Sequence, residues 1–220
     1  MSPALAGALA DLQPVHTRHP ARALATLAGA SLAYVALLMV GRAAWLGGST
    51  LRPDLPHLPV WYVAGVGGAW AVGFAALLGI AILPRRGQVM PNAHRALVAA
   101  LAGMLALTAI GLALAQTAEG SKVPRDTAEL VRVSWPCVAA GLLVALVPLA
   151  GGLIALRRAV PMGARALGAT LGAAGGALGG FALHLHCAWA TPLHVGFAHG
   201  LPIALAALIG ALLAPAVLEP

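Results

Sequence analysis

The sequence predicts an all-α membrane protein, a bundle of about six transmembrane helices with both termini in the cytoplasm. Three observations carry that expectation. The 220 residues are 60% hydrophobic and 9% charged, with mean hydropathy +0.91, whereas soluble domains carry about 25% charged residues. Arginine gathers in alternate loops between long apolar runs. Tryptophan collects at the opposite ends of those runs, where an indole keeps its ring half apolar and its N–H wet.

The runs follow in order at residues 23–41, 60–83, 96–118, 133–156, 166–183 and 195–218. Each is long enough to cross a bilayer core, which takes about 20 apolar residues as a helix. A tail over residues 1–22 precedes a transmembrane domain over 23–218. The tail has no basic n-region, and Asp11 interrupts its apolar stretch, so it does not read as a signal peptide. Pro53, Pro56 and Pro59 stiffen the loop before the second run. Pro136 is expected near the start of the fourth helix, where the missing N–H had no partner anyway. Pro148 and Pro202 lie deeper and should kink their helices. The fifth run carries Gly168, Gly172, Gly176 and Gly180 at intervals of four, with Gly175 and Gly179 repeating the spacing. Such a stripe lets a neighbouring backbone approach closely and permits one helix to slide on another. No soluble domain is expected beside these helices, so function should lie in the membrane or in short loops.

The net charge of +7 is a topology signal rather than a mark of nucleic-acid binding. The tail, the second loop and the fourth loop hold Arg18, Arg22, Arg85, Arg86, Arg95, Arg157, Arg158 and Arg165 against Asp11 and Glu219. The other loops hold Arg42, Arg52, Lys122, Arg125 and Arg132 against Asp54, Glu119, Asp126 and Glu129. Cytoplasmic loops collect Lys and Arg, which puts the first set inside. These charges, and His16, His19, His57 and His94, read as solvated loop groups. Trp45, Trp61, Trp135 and Trp189 all fall at the outer ends of their runs, and Trp70 alone lies within a span.

Two cysteines coincide in depth. Cys137 opens the fourth run and Cys187 closes the fifth. Counted along the helices from the shared fourth loop, both lie roughly 30 Å away at 1.5 Å per residue. A bridge, or a Cys2His-type metal site drawing on His186, is geometrically allowed. Four of the eight histidines lie in the segment HLHCAWATPLHVGFAH, residues 184–199. His184 and Cys187 share a helix face, about 60° apart, while His186 points elsewhere. Cys137, Cys187, His184, His186 and His199 are therefore the candidate redox or metal sensor, and a transition metal ion is the one candidate cofactor. His194 stands just after the turn and ranks behind them. There are no paired intramembrane carboxylates, no phosphate-binding glycine loop, no CxxC and no HExxH. This argues against an enzyme, a small-molecule substrate and a proton-coupled transporter.

Several stretches together resemble the NrsF family of integral-membrane anti-sigma factors with six transmembrane helices. They are ALADLQPV at residues 8–15 with Pro20 after it, RPDL at 52–55, Cys137, the arginine–proline loop at 157–161, the glycine-rich fifth run, and LHC at 185–187. Where that family commonly follows LHC with Pro-Glu, this chain has Ala188 and Trp189, with His194 and His199 close by. The resemblance implies a protein that holds an extracytoplasmic-function (ECF) sigma factor at the inner face of the bacterial cytoplasmic membrane. Release would follow a redox, metal or photo-oxidative signal sensed through the cysteines, as in anti-sigma factors of the CarR type. Partners would then be the sigma factor and the lipid bilayer, with no direct contact to nucleic acid. Leu12, Pro14, Val15, Arg85, Arg86, Arg157 and Arg158 are the candidate docking residues. The competing expectation is a small membrane redox protein that binds haem b or copper through the histidines of the fifth and sixth helices.

Overall fold

The structure, a computed structural model, describes residues 20–46, 49–83, 93–157 and 163–218. It has six long helices: α1 (Pro20–Leu46), α2 (Tyr62–Ile82), α3 (Ala93–Leu114), α4 (Thr127–Leu156), α5 (Ala164–His186) and α6 (Pro192–Leu218). All six are long and apolar enough to cross a membrane. α2 opens on a π turn at Tyr62–Val66, and α6 carries one at Val195–His199 directly after its first turn at Pro192–His194. Among the described residues there is no strand, only an isolated bridge between Lys122 and Trp189.

Helix ends differ from the apolar runs where polar residues do the capping. α4 starts at Thr127 rather than at 133, because Asp126 accepts the Glu129 N–H at 2.8 Å and Glu129 accepts the Arg125 N–H at 2.8 Å. This reciprocal cap satisfies donors that the first turn leaves orphaned. Pro136 therefore sits in the helix interior, not near its start. α1 runs from Pro20 to Leu46, beyond the expected 23–41, and α5 continues to His186. α3 stops at Leu114, short of 118. The chain then turns through Ser121, whose N–H bonds the Ala118 carbonyl at 3.0 Å, with Gly120 at φ +86°. The π turn of α6 lies just before Pro202, whose ring cannot donate the helical hydrogen bond.

α5 is the central helix. Of an 18-residue apolar stretch within it 94% is buried, against 17% for such stretches of α1 and α3, which lie outermost. Glycine makes this position available. Gly168, Gly172 and Gly176 rest on the α6 backbone at Gly210, Ala206 and Ile203. Gly175 and Gly179 rest on α4, where an added Cβ would meet the carbonyl oxygens of Ala145 and Gly141 at 2.8 and 2.6 Å. Gly180 makes room for the Trp70 ring of α2. The single stripe in the sequence thus serves three different neighbours.

These pairings run antiparallel between α5 and each of α2, α4 and α6, and between α3 and α6 at Gly111–Val195 and Gly200–Thr108. The bundle therefore has two ends. One bears exposed Arg22, Arg95, Arg157 and Arg165, and is called the basic end below. The other gathers residues 49–58, 115–126 and 187–191, and is called the loop end.

Candidate functional site

The loop end is tied together by backbone and by one buried ion pair. Cys187 closes α5, its N–H bonding the Leu183 carbonyl at 2.7 Å before the chain extends. Two segments then hold the following stretch. The Arg52 N–H bonds the Leu185 carbonyl at 3.0 Å, and its guanidinium donates to the His184 carbonyl at 3.5 Å. The Lys122 N–H bonds the Ala188 carbonyl at 2.8 Å, and the Ala190 N–H returns a bond to Lys122 at 3.2 Å. A cation at the C-terminus of a helix also complements its dipole.

Arg52 and Asp54 are buried, contrary to the expectation of solvated loop charges. They form a two-pronged pair at 2.6 Å on each prong, and Ser121 donates to the same carboxylate. Burial works against ionisation of Asp54, but the hydrogen bonds from Arg52 and Ser121 outweigh it and hold the carboxyl below its usual range. Burial likewise works against the Arg52 cation, and the Asp54 carboxylate more than offsets it. The pair links the loop after α1 to the loop after α3 and clamps both onto the end of α5.

Inside this clamp the two cysteines meet. Cys137 Sγ lies 3.5 Å from Cys187 Sγ, and Cys187 Sγ lies 3.3 Å from His194 Nε2. The ligand atoms of Cys137, Cys187 and His194 all fall within 4.8 Å of one another. The far side of the His194 ring is fixed by Ser134 Oγ, 3.1 Å from Nδ1. His194 reaches this position because Thr191 caps α6 through the His194 N–H, and Pro192 takes the first helical position. Cys187 and His194 are buried, and Cys137 is half-buried.

The other candidate residues fall elsewhere. His186 points away from the thiols: its Nδ1 lies 2.8 Å from the Thr50 carbonyl and its Nε2 2.5 Å from Arg42. His184 is fully buried edge-on to Tyr62, ring centroids 5.0 Å apart, with no hydrogen-bond partner on either nitrogen. His199 is also fully buried and unpartnered, its centroid 5.8 Å from that of His194. Arg157 is exposed at the basic end. Leu12, Pro14, Val15, Arg85, Arg86 and Arg158 lie outside the described residues. His194, ranked behind the other histidines from the sequence, is the one the structure places against the thiols. The Thr-Pro cap at 191–192 was the available signal, since it sets the first turn of α6 and hence the facing of His194.

The geometry has a family context. The model of one protein family, NrsF, described as negative regulator of sigma F, matches residues 9–219. The chain belongs to the NrsF family. Its name marks a family of regulators of a sigma factor rather than a class of enzyme. No curated protein and no solved structure matches the chain. The NrsF match runs through all six helices, the Arg52–Asp54 clamp and the thiol cluster.

Proposed function

We propose that this chain is an inner-membrane anti-sigma factor that holds an extracytoplasmic-function sigma factor, with the thiol pair at the loop end as its sensor. The supporting observation is the placement of Cys137 and Cys187, 3.5 Å apart, in a member of a sigma-regulator family. The basic end would face the cytoplasm and hold the sigma factor. The tail, with Leu12, Pro14 and Val15, and the loops bearing Arg85, Arg86, Arg157 and Arg158 would supply the contacts. A standard interface uses about 20–30 residues a side, which these segments can provide. Their positive charge suits acidic patches on a partner as well as anionic lipid.

The signal would be redox, metal or photo-oxidative. A peroxide-class oxidant takes two electrons from the two thiols and is reduced to water. Both thiol protons leave, and an Sγ–Sγ bond of about 2.05 Å forms. Closing the present gap requires α4 and the end of α5 to move together. That movement releases the partner only if the oxidised bundle binds sigma factor less tightly than the reduced one.

Cys137→Ser and Cys187→Ser should each give the same altered response in a sigma-dependent reporter strain. The double variant should be no worse than either single, as for residues that act as one site. Thiol trapping before and after oxidant reads the chemistry directly. Thiols that stay free while the reporter still responds would sink the sensor. Deleting residues 1–15 should raise reporter output without any stimulus, and full repression by a stably inserted truncation would remove the tail from the docking surface.

A further inference from the structure

We propose that Cys137, Cys187, His194 and His199 form a four-ligand site for a thiophilic d10 cation, with Zn2+ as its resting occupant. The proposal deepens the reading of the thiol pair as sensor. It rests on that reading for its regulatory meaning, though not for the binding itself.

Three ligand atoms already stand close to where such an ion would hold them. With Zn–S about 2.3 Å and Zn–N about 2.0–2.1 Å, tetrahedral geometry puts two sulfurs about 3.8 Å apart and sulfur and nitrogen about 3.6 Å apart. The corresponding separations here are 3.5 Å for Cys137–Cys187 and 3.3 Å for Cys187–His194. The imidazole is also oriented as a ligand requires. With Nδ1–H donated to Ser134 Oγ, Nε2 carries its lone pair toward the sulfurs.

Cys137, Cys187 and His194 are already gathered within 4.8 Å, and His199, on the π turn one ring beyond His194, would complete the set. In a regular α-helix, residues five apart point about 140° away from each other. Over Val195–His199 the backbone bonds in the i→i+5 manner, which brings His199 round toward the side of His194, five residues before it. His199 thus meets His194 edge-on, ring centroids 5.8 Å apart. It is wholly buried with both ring nitrogens unpartnered. An imidazole left so in an apolar bundle is costly, and a metal bond removes that cost. The turn itself is accommodated by glycine: Gly196 packs on Leu112 and Gly200 on Thr108.

The donor set selects the ion. Two thiolates and two imidazoles suit Zn2+ or Cu+ and exclude Mg2+ and Ca2+, which want oxygen. No carboxylate belongs to the cluster, and Asp54 is taken up by Arg52 and Ser121. Binding Zn2+ releases two thiol protons. The product, with two thiolates and two neutral imidazoles, carries no net charge, as a low-dielectric surrounding favours. Trp189 packs beside His194 at 6.4 Å and Lys122 lies over the indole at 5.8 Å, forming a cover at the loop end. Half-exposed Cys137 offers the way in.

The test uses the full chain in detergent with Co2+ as a spectroscopic probe, followed by Zn2+. Wild type should bind one Co2+ per chain with the intense visible bands of a tetrahedral thiolate site, and Zn2+ should bleach them. Cys137→Ser, Cys187→Ser and His194→Gln should abolish the bands. His199→Gln should weaken binding by at least about 10-fold, and His199→Cys should restore it with added thiolate-to-metal absorption. His186→Gln should change nothing. The proposal falls if a folded chain with reduced thiols gives no tetrahedral spectrum, if His194→Gln and His199→Gln bind as wild type, or if His186→Gln removes binding. A bound metal with an unresponsive reporter would instead overturn the sensor reading and leave the site standing.

Discussion

Single residues at the loop end separate what spacing reveals from what it hides. The matched depth of Cys137 and Cys187 was countable, because rise per residue in a helix is fixed and both helices leave one short loop. Arg52 and Asp54 were not readable in that way. Two charges in a loop rich in proline look solvated, and only the return of residues 118–121 over them makes them a buried pair. Asp54→Ala strands a buried guanidinium. Removing one partner of such a pair costs about 3–5 kcal/mol, and the loss should appear as a lower unfolding temperature in detergent. The pH dependence follows from the depressed carboxyl. Its stabilising effect is complete above the unfolded value of about 3.9 and is lost as pH falls through the lower folded value. Wild type should therefore keep this contribution from neutral pH down to about pH 4 and lose it below. Asp54→Asn should lack that acid-dependent step. An Asp54→Ala protein as stable as wild type would show that the clamp contributes nothing.

At the scale of the helix, hydropathy located all six spans but not their ends. Apolar runs mark the part that can sit in lipid, whereas helix termini follow caps. The pairing of Asp126 with Glu129 carried the start of α4 beyond its apolar run. The π turns left no trace in composition, which is why His199 could not be placed beside His194 beforehand. The glycine stripe was visible, but its division among α2, α4 and α6 was not, since period alone does not say which neighbour each face meets. Gly172 tests that division. It abuts the Ala206 carbonyl across the α5–α6 contact, where backbone cannot yield as a side-chain tip would. Gly172→Leu should destabilise the bundle by more than the 1–3 kcal/mol usual for overpacking. It should also lower the yield of oxidant-induced Cys137–Cys187 linkage by shifting α5. Gly29→Leu, which meets open space, is the control and should leave both unchanged. A stable, normally linked Gly172→Leu chain would mean that α5 and α6 do not pack here.

Across the whole molecule, the two ends differ in kind, and that difference fixes an orientation to be tested. Exposed Arg22, Arg95, Arg157 and Arg165 share one end because neighbouring helices alternate in direction. The opposite end carries exposed Trp45, Trp61 and Trp135 at positions suited to an interfacial belt. Basic residues near helix ends hold back translocation, so the basic end should remain in the cytoplasm, and with it the C-terminus of α6. A fluorescent reporter fused after Leu218 should be active, and alkaline phosphatase at that site inactive. Phosphatase inserted beside Lys122 should be active, since that loop lies at the other end. Equal sidedness at the two sites would contradict the antiparallel packing itself. The reverse orientation would keep the bundle but place the thiols in the reducing cytoplasm. There a disulfide would not persist, so the redox form of the sensor would fall while the metal site could still fill.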